Sequence, residues 1–291
     1  MVIKLKSRAK INLSIDVVGK REDGYHLVEM IMQSIDLYDN IQIEEIKEDK
    51  IIIQSENKNV PLDESNIMYK AASLVKQKFN IKTGVKINLH KNIPVAAGMA
   101  GGSSNGAAVL VGLNNIWNLN LREDELMDLG LSLGADVPFC IMGGAALAQG
   151  IGEKLTKIKG LKDTHILICK PNIFVSTKDV YTNLDMSKVR KRPDTQMLLD
   201  YINKEDIKGL CTNMENVLES VTEKKYPVIS EIKNKMIKYK ALGSMMSGSG
   251  PTVFGIFDDY EKGQYAKENL KLIHEETYLV KPYGGGIEIE R

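Results

Sequence analysis

The chain reads as an α+β protein built from two successive domains, a β-rich first half and a more helical second half. Three features carry that reading. Ala9, Ile11, Leu13, Ile15 and Val17 alternate with Lys10, Asn12, Ser14 and Asp16, the period of a strand with one apolar face. A run of small residues from Ile93 to Ala108 joins a strand pattern (Val85, Ile87, Leu89) to a helical one (Ala107, Ala108, Leu110, Val111, Leu113, Trp117). Past residue 170 the texture turns mostly helical. A length of 291 residues accommodates two ordinary domains, and the change of texture sets a boundary near 155–165, dividing the chain into 1–158 and 159–291.

Within the first part, strands are expected over the initial alternation, over 27–37, over 41–46 and over 51–53. Asp63 and Ser65 then open a helix carrying Ile67, Ala71, Leu74, Val75 and Phe79. After the small-residue run and its helix, 122–133 reads as another helix, whose opening Glu123, Asp124 and Glu125 suit the positive end of the helix dipole. Strands are expected at 143–149 and 164–169, and amphipathic helices near 193–210 and 225–240. Strands at 243–246 and 252–257, a helix at 259–273 and strands at 277–282 and 286–290 complete the chain.

Bulk properties remove several classes of function. Lys and Arg number 39 against 38 Asp and Glu, so no basic field draws nucleic acid or an anionic membrane. With 43% hydrophobic and 26% charged residues the composition is that of an ordinary globular protein. The N-terminal stretch carries Lys4, Lys6, Arg8 and Lys10 without an apolar core, so it does not read as a signal peptide. The charge-poor stretch 129–152 is interrupted by Pro138 and several glycines, which disfavours a membrane span. Cys140, Cys169 and Cys211 are odd in number and widely spaced, which suits a reducing cytoplasm and neither a disulfide framework nor a zinc site.

The chemistry concentrates in four segments. Pro94-Val95-Ala96-Ala97-Gly98-Met99-Ala100-Gly101-Gly102-Ser103-Ser104 leads from a strand into a helix start. This stretch is either a flexible linker or helix cap without a ligand, or a turn presenting unpaired backbone N–H groups at a positive dipole end, with two serine hydroxyls adding donors for a polyphosphate. The flanking apolar segments and Pro94 favour the second. It is neither a P-loop, having no lysine after the glycines, nor a dinucleotide fingerprint. Lys10 and Asn12 share one face of the first strand, read either as a solvated polar face or as functional groups. Asp136 stands alone in an apolar, glycine-rich stretch: it is either a turn or helix cap before Val137-Pro138, or a buried carboxylate with a cationic partner. Arg21 to His26 holds an Asp-Gly hairpin turn followed by Tyr25 and His26, which are either ordinary strand residues past the turn or an aromatic and an imidazole suited to stack on and read a base. A second glycine turn, Met246-Ser247-Gly248-Ser249-Gly250-Pro251, is either a tight hairpin or a backbone surface closing on a phosphate.

Together these segments resemble the GHMP small-molecule kinases. The blocks AKINLSIDVVGKREDGYHLVEMIMQSIDLYD, IPVAAGMAGGSSNGAA, LGADVPFCIMGGAALAQGIGEKL and GSMMSGSGPTVFGIF carry the likeness across residues 9–257. Met99, Gly106 and Ala145 depart from the usual Leu, Ala and Thr without removing a donor or a charge. The resemblance implies an N-terminal domain like the second domain of ribosomal protein S5 and a ferredoxin-like C-terminal domain. It implies a cytoplasmic, ATP-dependent alcohol kinase using Mg²⁺, with Asp136 as the catalytic carboxylate and Lys10 beside the acceptor hydroxyl. The 94–104 loop would wrap the ATP phosphates, with Ser103 or Ser104 as a candidate Mg²⁺ ligand. The DGYH and GADVPFC blocks imply a small-molecule acceptor in which cytidine diphosphate is joined to methylerythritol, phosphorylated on its 2-hydroxyl in non-mevalonate isoprenoid synthesis. Asn12 would hold the polyol, Tyr25 and His26 would meet the cytosine, and Tyr181 would close on it from the C-terminal side. No nucleic acid or membrane partner is implied, and the chain would be a monomer or homodimer. Another GHMP kinase, acting on homoserine or mevalonate, is the alternative within the family; those acceptors have no base for the DGYH segment to stack. An RNA-binding S5-like module is the alternative outside it, and the near-zero net charge with an acidic 44–49 segment speaks against that.

Overall fold

The computed structural model describes residues 1–290. Its first unit is built on a long hairpin, β1 (Val2–Lys20) and β2 (His26–Ile46), closed by the Asp23-Gly24 turn. β2 runs without the break expected between 37 and 41. Asp39 looks like a turn residue, but its carboxylate is buried and fully engaged, so the strand continues through it. Then follow β3 (Ile51–Ser55), α1 (Ile67–Lys78), β4 (Gly84–His90), α2 (Gly101–Ile116), α3 (Glu123–Leu131), α4 (Val137–Met142), β5 (Ala145–Gln149) and β6 (Lys154–Lys157). α1 starts two residues beyond Ser65, because the Asn66 side chain, not Asp63 or Ser65, accepts the Met68 N–H at 2.8 Å.

The second unit contains β7 (His165–Cys169), α5 (Thr177–Thr182), α6 (Thr195–Asn203), α7 (Ile207–Asn213), α8 (Glu219–Lys225), α9 (Val228–Lys238), β8 (Gly243–Met246), β9 (Val253–Phe257), α10 (Tyr260–Lys271) and β10 (Thr277–Val280). Its four strands form an antiparallel sheet in the order β10-β7-β9-β8. Ile229, Ile232 and Met236 of α9 and Ala266 and Leu270 of α10 bury one face of that sheet, the ferredoxin-like arrangement. Its other face packs Ile166, Ile168, Phe254 and Ile256 against Ala9, Ile11 and Leu13 of β1. The apolar side of the first strand is thus the seam between the units.

The last strand, β11 (Ile287–Glu290), does not stay in the second unit. It pairs antiparallel with Lys4–Ser7 of β1, giving the first sheet the order β11-β1-β2-β4-β3 with β5 and β6 branching from β2. The strand that ends the 159–291 segment is thus an edge strand of the first sheet, and a returning strand leaves no local signal of its partner. Arg8 clasps this strand: it is buried, donates to Asp36 and to Glu288 (2.5 Å), and lies 3.4 Å over the Tyr283 ring. Aliphatic side chains of β1, β2 and β4 meet α1 and α2 on one face of the first sheet, where Ile41, Ile43, Val85 and Ile87 are closed over by Ala71, Val75, Ala108 and Leu110.

Candidate active site

One cleft of about 1120 Å³ lies between the units and brings the four sequence segments together. At one end, residues 91–100 leave β4 and enter α2 through a backbone with positive φ at Ala96 (51°), Gly98 (71°) and Ala100 (56°). Ala100 is the N-cap of α2 and supplies no side-chain hydrogen bond, and the first intrahelical bond is Ser104 N–H to its carbonyl at 2.8 Å. The N–H groups of Gly101, Gly102 and Ser103 therefore have no helical partner, and these residues line the cleft. A sixteen-residue helix with an uncapped N-terminus offers an anion both donors and a partial positive charge.

The loop is held from beneath by Asp39. Its buried carboxylate accepts Lys91 Nζ (2.5 Å), the N–H groups of Asn92 and Ile93 (2.7 and 2.8 Å) and the Asn105 amide (2.8 Å). Burial pushes the Lys91 ammonium below its ordinary pKa, with the Asp39 charge opposing. Lys91 lines the cleft beside Gly101 and was not singled out in the sequence, where it is simply the lysine that ends a strand. Val60, Pro61, Ile67 and Leu89 add an apolar wall next to the loop, with Asn59 and Asn66 as its polar members. That wall comes from a loop without any motif, so sequence reasoning passed over it.

In mid-cleft, Lys10 Nζ stands 3.9 Å from Asp136 Oδ2 and donates to Asn12 Oδ1 at 2.7 Å. Lys10 and Asn12 are buried, not solvated: they bond to each other, Asn12 meets Met30 of β2, and Lys10 faces Asp136 at the start of α4. A shift of register between Arg8 and Lys10 re-aims the strand there, and the Lys10 N–H donates to the Met99 carbonyl (3.2 Å), tying the strand to the loop. Asp136 is the N-cap residue of α4, yet its side chain makes no capping bond. It is also less enclosed than the buried carboxylate expected: its side chain is 34% exposed against 6% for Lys10. The carboxylate lies at the open floor of the cleft, and the cation forms the wall behind it.

At the other end, the His26 and Tyr181 rings lie 5.1 Å apart, tilted by 33°. Desolvation, with the Lys20 charge in second place, lowers the His26 pKa, so the imidazole is neutral at neutral pH. Burial raises the Tyr181 hydroxyl to about 12, with the Asp136 charge adding to it. Tyr25 lines the mouth of the cleft and is 61% exposed.

Two loop residues named from sequence face elsewhere. Met99 is buried in the core, and Ser104 is fully buried with its hydroxyl toward Cys140, so neither side chain lines the cleft. Helix geometry decides this: Ser104 sits in the second half-turn of α2 and points to the core side, which leaves Ser103 as the serine facing the cleft.

The glycine hairpin between β8 and β9 closes over the loop. Ser247 Oγ donates to the Gly98 carbonyl (3.0 Å), and Gly248 and Ser249 line the cleft. Asn216, buried, holds this hairpin by donating to the carbonyls of Met246 (2.8 Å) and Gly248 (2.9 Å), while residues beside it bridge to Ile15 of β1. Its partners lie 30 and 32 residues away along the chain, so no local pattern marks it.

A helix N-terminus facing a lysine–carboxylate pair across an interdomain cleft is equipment for moving a phosphoryl group. The GHMP kinases N terminal domain matches residues 66–144 and the GHMP kinases C terminal domain matches residues 198–273. The chain belongs to the GHMP kinase family. Within that family it is 61% identical to the 4-diphosphocytidyl-2-C-methyl-D-erythritol kinase of Clostridioides difficile (strain 630), over 99% of this chain and 97% of the relative. A crystal structure of a 4-(cytidine 5'-diphospho)-2C-methyl-D-erythritol kinase superposes with TM-score 0.82 at 28% identity, covering 97% of this chain and 100% of that one. A homoserine kinase from Cytophaga hutchinsonii reaches TM-score 0.79 at 18% identity, with 99% and 97% covered, and shares the fold alone.

Proposed function

We infer that this chain transfers the γ-phosphoryl group of ATP to the 2-hydroxyl of 4-diphosphocytidyl-2-C-methyl-D-erythritol, giving the 2-phosphate and ADP in non-mevalonate isoprenoid precursor synthesis. One observation carries the reading: a single cleft holds an uncapped, glycine-lined helix N-terminus at one end, an aromatic–imidazole pair at the other, and Lys10 with Asp136 between them. Residues 1–158 supply the loop and the reacting groups. Residues 159–291 supply Tyr181 and the Gly248 hairpin.

The chemistry follows from those positions. Phosphoryl transfer has a loose transition state, so alignment and charge neutralisation matter more than a strong base. Asp136 orients the acceptor hydroxyl and takes its proton as oxygen bonds to the γ-phosphorus; the bond to the bridging oxygen breaks and ADP leaves. Lys10 holds the carboxylate in place and offsets charge on the transferring group. Asn12, hydrogen-bonded to Lys10, faces the polyol. The N–H groups of Gly101, Gly102 and Ser103 receive the phosphates, and the Val60–Ile67–Leu89 wall suits the adenine. Mg²⁺ accompanying the nucleotide would supply charge neutralisation at the phosphates. Ser103, which lines the cleft at the start of α2, is the residue of this chain that would help hold it. The reading places the enzyme in the cytoplasm as a monomer or homodimer with no nucleic-acid partner. Among the described residues no helix is long and apolar enough to cross a membrane.

The test is to offer the protein ATP, Mg²⁺ and three acceptors separately, the cytidyl compound, mevalonate and homoserine, and to follow ADP. Turnover confined to the cytidyl compound is expected. Faster turnover of mevalonate or homoserine would replace the proposed substrate.

Base selection gives a further expectation. Two rings holding a base between them stand about 7 Å apart, two contact layers, so the 5.1 Å His26–Tyr181 pair does not enclose one as it stands. Tyr181 offers a face and His26 an edge, with one donor and one acceptor nitrogen when neutral. The uridine analogue inverts the donor–acceptor pattern of cytosine and should lose at least ~10²-fold in kcat/KM, because it leaves buried polar groups unpaired. His26→Ala should erode that preference, whereas Tyr25→Ala should weaken both analogues alike. Because the folded His26 pKa lies below 6.5, the preference should hold across neutral pH and fade only as pH falls through that lowered value. Equal use of both analogues by the wild type would remove His26 as the base reader.

A further inference from the structure

Three lysines line the cleft: Lys10, Lys91 and Lys178. Two are engaged, Lys10 with Asn12 and Asp136 and Lys91 with Asp39. Lys178 is exposed in the first turn of α5 and has neither a carboxylate partner nor a hydrogen-bond acceptor among the described residues. Its neighbours fix where it stands. Thr177 is in hydrogen-bond contact with Ser249 Oγ at 2.8 Å, on the hairpin that closes over the phosphate loop. Tyr181, three residues on and so about 4.5 Å further along the helix, carries the ring paired with His26. Lys178 therefore stands between the phosphate end of the cleft and the base end.

We propose that Lys178 binds the diphosphate of the acceptor and so selects for a nucleoside-diphosphate-linked alcohol over one with a lone nucleoside. This rests on the function proposed above. An acceptor whose base stacks at Tyr181 and whose hydroxyl reaches Asp136 carries its diphosphate across the span that Lys178 overlooks. Two carboxylates also line the cleft, Asp23 and Asp136, so a dianionic linker passing there meets repulsion unless a cation offsets it. The ATP phosphates have the α2 N-terminus for that purpose. A lysine serves as a mobile point charge for such a group and needs no fixed geometry in the free protein.

The test uses the full chain and calorimetric titration with cytidine 5'-diphosphate, uridine 5'-diphosphate, cytidine and a nonhydrolysable ATP analogue. Lys178→Gln, which keeps length and removes charge, should weaken cytidine 5'-diphosphate binding about tenfold and leave cytidine and the ATP analogue unchanged. Lys178→Arg should restore most of the loss, and in turnover the effect should fall on KM for the acceptor, not on KM for ATP. Unchanged affinity for cytidine 5'-diphosphate in Lys178→Gln would overturn the proposal. Equal weakening of the ATP analogue would also overturn it, assigning the lysine to the phosphoryl donor. The proposed function fails separately, in the wild type: no binding of cytidine 5'-diphosphate, or equal binding of the uridine compound, overturns the acceptor reading before any variant is compared.

Discussion

Asp136→Asn is expected to lower turnover about 10²-fold or more, near 2.7 kcal/mol of transition-state stabilisation, while the fold and ATP affinity persist. Three observations argue for so selective a loss. The Asp136 side chain caps nothing, although it stands at the N-cap of α4, so the helix does not depend on its carboxylate. It is a third exposed on the cleft floor, so the amide incurs no new burial. Lys10 keeps its 2.7 Å bond to Asn12 when the carboxylate is gone. Lys10→Met should cost turnover on the same scale but with a different secondary effect. Removing the ammonium leaves the buried Asn12 oxygen without its donor, a loss of about 1–3 kcal/mol that a lowered Tm would report. If the two groups act as one unit, the double variant should be little worse than either single one. Steady-state kcat, titration with an ATP analogue and thermal unfolding on all three proteins make the check. Near-normal turnover in either single variant would take that residue out of the catalytic pair.

The sequence reveals this pair only halfway. Alternation places Lys10 and Asn12 on one face of β1, but period two does not say whether that face meets water or protein. What meets it is Met30 of β2 and Asp136 at the start of α4, the latter more than a hundred positions away. Asp136 is conspicuous because a lone carboxylate in apolar sequence needs a reason, and its neighbour in space is invisible until the fold is built. The same limit explains the misses. Asp39 and Asn40 resemble a strand break because turn residues are recognised by type, whereas here the carboxylate is spent on holding Lys91, Asn92 and Ile93 under the loop. β11 was expected as a strand, yet its partner, β1, lies at the other end of the chain. Asn216 carries no signal at all, since an amide that staples two carbonyls is one residue in any polar loop. Short-range patterns, by contrast, are legible: the hairpin turn, the small-residue run before α2, and the strands and helix after residue 240 all appear where periodicity and turn chemistry put them.

Within the phosphate loop, the glycines should separate into two kinds, and this gives the second large effect. Gly98 has φ +71°, and a Cβ built on it would stand 2.4 Å from the Ser247 carbonyl oxygen and 3.0 Å from that of Gly250. Gly98→Ala must therefore carry a strained backbone and push the β8–β9 hairpin off the loop. Lower thermal stability and a loss of ATP affinity of ten-fold or more should appear together. Gly102 is the opposite case: it is helical, lines the cleft, and a Cβ there meets only Ile67, at 3.9 Å. Gly102→Ala should leave stability unchanged or raise it by up to about 1 kcal/mol, since alanine is the better helix former. The added Cβ nevertheless stands where a phosphate approaches the free N–H groups of α2, so ATP affinity should still fall, and Gly102→Val should lower it further. Acceptor affinity should be nearly untouched in both Gly102 variants. The measurements are thermal unfolding and calorimetric titration with a nonhydrolysable ATP analogue and with cytidine 5'-diphosphate. Normal ATP affinity in a stable Gly102→Val protein would mean that the helix N-terminus receives no phosphate, and the loop would then be structural only.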